Sequence, residues 1–370
     1  MTNYSPDEAV PSAASNKAPL WKRLLPIILG LVIVVVLFGW VLPQFIDYDA
    51  VFRAIGNIEW WQWLILIVIA VIKFLPEGWL YMAAQPGLSM GQGTQLFLVA
   101  ETLGNVPPGG LDLVSRYQMA RSWGYPPSSS TSATIASWVF TSLSKLVLPI
   151  VAVAFLAIRR VREDDLDLLA LVAFALVIGG AIVLYAVLRS PNLAARVGDF
   201  LGGAVRRVSG IFRKEVETDF RALILEFRVQ SADVLRTRTH IGFAAGTTAR
   251  VLAFLVLLLA VRFVGIGSDQ MDWTIAFAAF SAVTAITVIP IFNAPGISEA
   301  ILIAAFNAAA GGGAADQVAA AVFVFRILTW LLPIPFGGIA FTRWRDKVRA
   351  AGRTELLDAF DEPDSAAESA

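Results

Sequence analysis

The sequence predicts an all-α polytopic membrane protein, with about six full transmembrane helices and two re-entrant, broken helical hairpins arranged as an inverted repeat. Three observations predict it. The chain is 57% hydrophobic and 16% charged over 370 residues, with a mean hydropathy of +0.69, whereas ordinary soluble domains carry about 25% charged residues. The run "LLPIILGLVIVVVLFGWVLP" from Leu24 to Pro43 holds no charge, and about 20 such residues cross a bilayer as a helix. Two later apolar stretches are interrupted by "ETLGNVPPGG" (101–110) and "IPIFNAPGISEA" (289–300). Each mixes a carboxylate, an amide, proline and glycine where hydrocarbon is expected.

In chain order, apolar runs place spans at 24–43, 60–84, 127–158, 166–188, 241–265 and 316–341, with the interrupted stretches at 94–115 and 273–310. Trp60, Trp61 and Trp63 open the second span as an interfacial aromatic belt would. Residues 1–19, rich in Ser, Ala, Pro and Asn, read as a disordered tail, and so does "DAFDEPDSAAESA" at the other end. Leu24–Pro43 is of full spanning length and lacks a small-residue cleavage site, so no cleavable signal is expected.

Lys and Arg orient the spans. Lys17, Lys22 and Arg23 flank the first one, while the 44–59 connection sets Arg53 against Asp47, Asp49 and Glu59. The 191–240 connection has nine Lys/Arg against six Asp/Glu, and Arg343, Arg345, Lys347 and Arg349 follow the last span. The turn at 266–272 holds Asp269 and Asp272 and no basic residue. The positive-inside rule therefore puts both termini and 191–240 in the cytoplasm and 266–272 outside, at the plasma membrane. With those ends fixed, 94–115 must start and end inside, and 273–310 must start and end outside. An even number of crossings makes each a hairpin, turning at "NVPPGG" and at "NAPG". The competing reading is a proline kink in two full-length helices.

A weak internal repeat agrees with the hairpins. "FTSLSKLVLPI" follows the first break and "FRILTWLLPI" the second; Gly110 to Pro149 is 39 positions and Gly296 to Pro333 is 37. Between the two copies, Val197, Phe200, Leu201, Val205, Val208, Ile211 and Phe212 recur at helical spacing, and Phe220, Leu223, Ile224 and Phe227 resume it. This insert reads either as basic amphipathic helices on the anionic cytoplasmic leaflet or as a solvated pair packed on the bundle.

Ionisable residues within apolar spans are functional candidates: Lys73, Glu77, Glu101, Lys145, Arg250, Arg262, Glu299 and Arg326. Lys73 and Glu77, four apart, read as a structural ion pair, and Arg262 as a snorkelling end residue. Arg116, Lys145 and Arg326 belong to the breaks or to the helices after them, and would make a net basic interior with Glu101 and Glu299 as counter-charges or proton carriers. Helices restarting at Gly109–Gly110 and at Gly296 would aim free N–H groups inward, with Asn105 and Asn293 beside them. The set would bind an anionic, phosphate-bearing headgroup, or the charges would pair only with one another and hold the repeats together.

Other chemistry finds little support. Zero cysteines and one histidine, His240, argue against thiol chemistry, transition metals and cofactors. No nucleotide-binding motif occurs: "GIG" (265–267) reads as a turn and "SSSTS" (128–132) as helix capping. Nothing suggests nucleic-acid binding.

At these residues the chain resembles the flippase-like transmembrane domain of lysylphosphatidylglycerol synthases and their homologues without the aminoacyl-transfer domain. "PGGLDLVSR" (108–116) with Gly124 matches the first family motif, and "GISE" with "FRILTWLLP", placing Gly296, Glu299 and Arg326, the second. "NAP" replaces the tandem glycines of the second motif. "VFTSLSK" replaces the usual Glu-Arg pair after the first, leaving Lys145 as the only nearby charge. The resemblance covers roughly residues 20–342, with 191–240 as an insert and 343–370 as a charged tail lacking the soluble transferase. It implies movement of a lipid between leaflets, with no ATP hydrolysis by this chain. A membrane-embedded lipid-modifying enzyme and a non-transporting scaffold remain the alternatives.

Overall fold

The computed structural model describes residues 47–104, 111–159, 220–288 and 296–361. Among them every regular element is helical. The spans expected at 24–43 and 166–188, the 1–19 tail, residues 191–219 of the insert, and both Gly/Pro turns with Asn105, Gly109, Gly110 and Asn293 lie outside the described residues.

Helix α1 (Tyr48–Gly56) is capped by the Asp47 side chain, which accepts from the Asp49 and Ala50 amides. Helix α2 (Trp60–Ile72) ends where Pro76 offers no N–H to the Ile72 carbonyl, and α3 (Phe74–Ala84) continues after a break at Lys73. Helices α4 (Met90–Gly104) and α5 (Leu111–Ser122) have 15 and 12 residues. At about 1.5 Å per residue neither reaches the roughly 30 Å of a hydrocarbon core. Next come α6 (Pro127–Arg159), α7 (Phe220–Phe263), and the short apolar α8 (Trp273–Ile286) and α9 (Ile297–Ala309). Helix α10 (Ala315–Arg326) passes through a π-helical turn (Ile327–Leu331) into α11 (Pro333–Ala350), and α12 (Glu355–Asp361) ends the described chain. Pro333 and Pro335 withhold donors from the Thr329 and Leu331 carbonyls, so the ladder shifts to a Leu332 N–H to Ile327 carbonyl bond of 2.8 Å.

Four segments are long and apolar enough to cross a membrane: Trp60–Ala84, Pro127–Leu156, Arg238–Phe263 and Ala315–Ala350. Their contacts define two ends of the bundle. At one end Trp61 meets Phe263 (5.8 Å between ring centres) and the Asp47 N–H donates to Asp316 Oδ1 (2.9 Å). At the other, Gln85 Nε2 donates to Ser129 Oγ and Trp344 Nε1 to Ser122 Oγ, both at 2.8 Å. Helix α4 begins and α5 finishes at this second end: Gln92 and Trp123 line one cavity with Trp344. The opposite tips of α4 and α5 also meet, since a Cβ on Gly104 would lie 3.2 Å from that of Asp112. Helices α8 and α9 pack on one another and are bracketed by the loops of the first end, 264–272 and 310–314.

The packing exchanges partners between the two pairs. Helix α4 packs on α11, which follows the second pair, and α8 packs on α6, which follows the first; α7 touches α3, α6 and α10. Between lipid-soluble helices, attraction comes from close contact and hydrogen bonds. Gly93 accordingly sits against the Gly78 carbonyl, Gly337 against Thr102 and the Leu98 carbonyl, and Gly242 against the Phe140 ring. Phe254, Phe277, Phe280 and Phe325 interlock in the main core, with ring centres 4.9 Å apart for Phe254–Phe277.

Several expectations change. Residues 220–240 are not separate from the span at 241: α7 runs 44 residues unbroken, about 66 Å and over twice the hydrocarbon thickness, because no proline or glycine precedes Gly242 within it. The tail read as starting at 343 stays helical to Ala350, and residues 358–361 belong to α12 rather than to a disordered end. Trp344, Val348, Leu357 and Phe360 form an apolar stripe that packs with Met119 and Trp123, and the surrounding charge conceals it in the sequence. Arg262 does not snorkel: its guanidinium donates to the carbonyls of Ile266, Gly267 and Met271. The serines at 128–132 lie inside the first turns of α6, where Ser130, Thr131 and Ser132 hydroxyls donate to carbonyls four residues back, so they do not cap it.

Two alanine substitutions test the glycine contacts. Gly93→Ala is expected to lower stability by about 1–3 kcal/mol through overpacking. Gly91→Ala, with nothing within 4 Å of its added Cβ, should be neutral or stabilising by helix propensity. Thermal unfolding in detergent reads both, and equal shifts would refute close α3–α4 packing.

Candidate functional site

The bundle interior holds a chain of charges. At its centre is Glu77, 4% exposed. Its Oε1 lies 3.3 Å from Lys73 Nζ, one turn earlier, and is also bonded by the Arg250 guanidinium of α7. The break at Lys73 puts both partners on the inner side of α2–α3. Two cations on one carboxylate satisfy its lone pairs but leave the group net positive, in a place where burying charge is expensive.

Glu101 of α4 and Lys145 of α6 supplement this centre without closing on it. Glu101 lies within electrostatic reach of Lys73, Glu77, Arg250 and Arg116, and Lys145 within reach of Arg250, Glu77, Glu101 and Arg326. Both are half-buried, and among the described residues neither makes a hydrogen bond or ion pair. Pro149 also removes the helical donor from the Lys145 carbonyl, leaving an acceptor at the same level.

Each sequence-predicted arginine lies at one extremity. Arg116 of α5 pairs with Asp112 at 3.4 Å, donates to Ser137 Oγ of α6 at 3.5 Å, and stacks 5.3 Å from the Tyr81 ring centre. Beside it a small cavity of about 10 Å³, room for about one water, is lined by Tyr81, Gln85, Arg116, Ser130 and Thr134, among others. Arg326 of α10 sits with Nε 2.7 Å from Glu299 Oε1 and donates to Ser298 Oγ at 2.6 Å. The Nε contact is ionic, its N–H not being aligned for a hydrogen bond.

Gly296 adopts φ +88°, open to glycine at no steric cost, and α9 restarts there as expected. Its amide is nevertheless occupied: Glu299 Oε2 accepts from Gly296 N at 2.6 Å and from Ser298 Oγ at 3.0 Å. The carboxylate expected to balance a ligand thus already fills the helix N-terminus, as a capping side chain does.

The structure therefore brings Glu299 and Arg326 together and draws Glu101 and Lys145 around Glu77. Arg116 and Arg326 do not touch. Sequence reading missed four participants, Asp112, Ser137, Tyr81 and Ser298, and the Glu77–Arg250 pair. Arg250 was marked by lying in an apolar run, but a partner 173 positions away leaves no local pattern. Among the described residues no group of three His, Asp or Glu side chains could hold a metal ion. Chemically, the arrangement offers guanidinium groups whose carboxylate partners could be exchanged for a phosphate with little change in local charge.

Over residues 27–337 the chain matches the family described as the lysylphosphatidylglycerol synthase TM region, and it belongs to that family. No curated protein matches it. Family and apolar helices together make it a membrane protein with a lipid-related role.

Removing Glu77 should strand two buried cations. Glu77→Gln is expected to cost about 3–5 kcal/mol, and Glu77→Gln with Arg250→Gln less than the sum of the two single changes. Unfolding midpoints of the three variants check this; additive losses would show that the pair is not coupled.

Proposed function

We propose that this member of the lysylphosphatidylglycerol synthase TM-region family moves a phosphate-bearing anionic lipid between leaflets through the charged interior. The observation that carries the reading is the pair of short helix couples, α4–α5 and α8–α9, which begin and finish at opposite ends of the bundle. None of the four is long enough to span, which supports reading each couple as a re-entrant hairpin that turns back within the membrane. Irregular backbone at that depth is tolerated where it lines a polar cavity, and opposed hairpins around a midplane site are a common transporter plan. The exchange of partners, α4 with α11 and α8 with α6, supports an inverted repeat.

Along such a path a headgroup would first displace Asp112 from Arg116 and end by displacing Glu299 from Arg326. Lys145 and Glu101, without an ion pair among the described residues and between the arginines, would hold it in transit. Charge is conserved at each exchange: a carboxylate freed from its arginine can turn to a neighbouring cation or take a proton. Asn105, Asn293, Gly109 and Gly110 would let backbone approach the phosphate at the turns. Both termini would be cytoplasmic, and α7 would carry residues 220–240 out of the cytoplasmic leaflet as a continuation of its span.

Two measurements test this. In reconstituted vesicles carrying a fluorescent anionic phospholipid, Arg116→Ala and Arg326→Ala are each expected to slow translocation about 10- to 100-fold, the loss of a charge-assisted bond; full rates in correctly folded variants would refute the path. Single cysteines, in a chain that has none, should label at Ser122 only from the cytoplasm and at Gly267 and Gly311 only from outside. Labelling of Ser122 and Gly311 from the same side would rule out opposed hairpins.

A further inference from the structure

A second cavity, of about 300 Å³, opens where α4 begins, α5 ends and α11 leaves the bundle. Its lining includes Gln92, Gln95, Ser122, Trp123, Lys347 and Arg353. It is separate from the interior chain of charges and shares no residue with the cavity beside Arg116.

We infer that this cavity is a docking site for a phosphate-bearing anion, presented as a lipid headgroup at the membrane surface. Four features support it. Among the described residues the cations are unopposed: no Asp or Glu lines the cavity, and Asp346 and Glu355 are absent from its wall. Lys347 is exposed and makes no ion pair among the described residues, so an incoming anion displaces only water. Arg353 is held at the rim by donating to the Ser122 carbonyl at 3.1 Å, which fixes one guanidinium edge; among the described residues it makes no ion pair.

The wall is also built rather than incidental. Trp344, 2% exposed, anchors Ser122 through its indole N–H. Gln95 Nε2 is tied to the Ala340 carbonyl at 3.0 Å, and Gln92 Oε1 accepts from the Ser89 amide at 2.9 Å. Among the described residues the Gln92 amide N–H groups make no hydrogen bond and could donate to phosphate oxygens. Finally, Trp123, Val348 and Ala351 supply an apolar side, as a headgroup with attached chains requires. A volume of this size accommodates a headgroup, and tryptophans beside basic residues are typical of the level where phosphates lie.

The site differs from the midplane path in that its ligand could bind without being moved. Its test is therefore lipid retention by the full-length purified chain, measured by native mass spectrometry with phosphatidylglycerol, phosphatidylcholine and inorganic phosphate as separate probes. Phosphatidylglycerol should be retained over phosphatidylcholine, and Lys347→Gln and Arg353→Gln should each weaken retention about fivefold. Gln92→Glu places a like charge in the wall while keeping the Ser89 contact, and should weaken it as well without disturbing Arg353. Arg343→Gln with Arg349→Gln, outside the cavity, should have no effect. Competition by millimolar inorganic phosphate would support the anion site and assign it to soluble phosphates. Equal retention of phosphatidylcholine, or equal loss in the Arg343/Arg349 control, would overturn the proposal.

Discussion

The arrangement depends on one carboxylate. Glu77 binds Lys73 one turn earlier and Arg250 on α7, joining the Trp60–Ala84 span to the long helix between the two helix couples. Without it both cations would be left unpaired in the interior, where unpaired charge is costly. The pair also explains why the chain tolerates a break at Lys73: the proline that interrupts α2 lets the lysine turn inward toward the carboxylate one turn later. Electrostatic satisfaction and helix geometry are here the same constraint.

Around that centre the protein is assembled by close approach rather than by burial from water. Glycines at 78, 93 and 337 bring helices within backbone distance and Gly242 admits the Phe140 ring, while Phe254, Phe277, Phe280 and Phe325 fill the main core. Because helices in lipid gain little from hiding apolar surface, such contacts set the crossings of α3 with α4, α4 with α11 and α6 with α7. The couples α4–α5 and α8–α9 are thereby held against helices that follow the other couple.

Prolines recur beside the charges. Pro76 lies three residues after Lys73, Pro149 four after Lys145, and Pro333 seven after Arg326. Each takes a donor from the helical ladder and leaves a carbonyl without its partner. Polar backbone is therefore concentrated where polar side chains already are, which localises the desolvation cost to one zone of each helix. Glu299 works in the opposite sense, closing the amide of Gly296 that the break would have left open.

Much of this was legible in the sequence. Hydropathy and length determined an all-helical membrane protein, because lipid permits few alternatives. Glycine and proline marked where helices stop, because their backbone limits are local. The charged residues of the interior stood out by being costly there. What the sequence could not reveal was partnership. Arg250 with Glu77, Ser298 with Arg326, and the apolar stripe of α11–α12 under α5 join positions far apart in the chain, and no periodicity records them. Free cations could not be told from occupied ones for the same reason: an arginine's charge is a property of its side chain, but its availability depends on which carboxylate the fold places beside it. Tertiary structure alone made that choice.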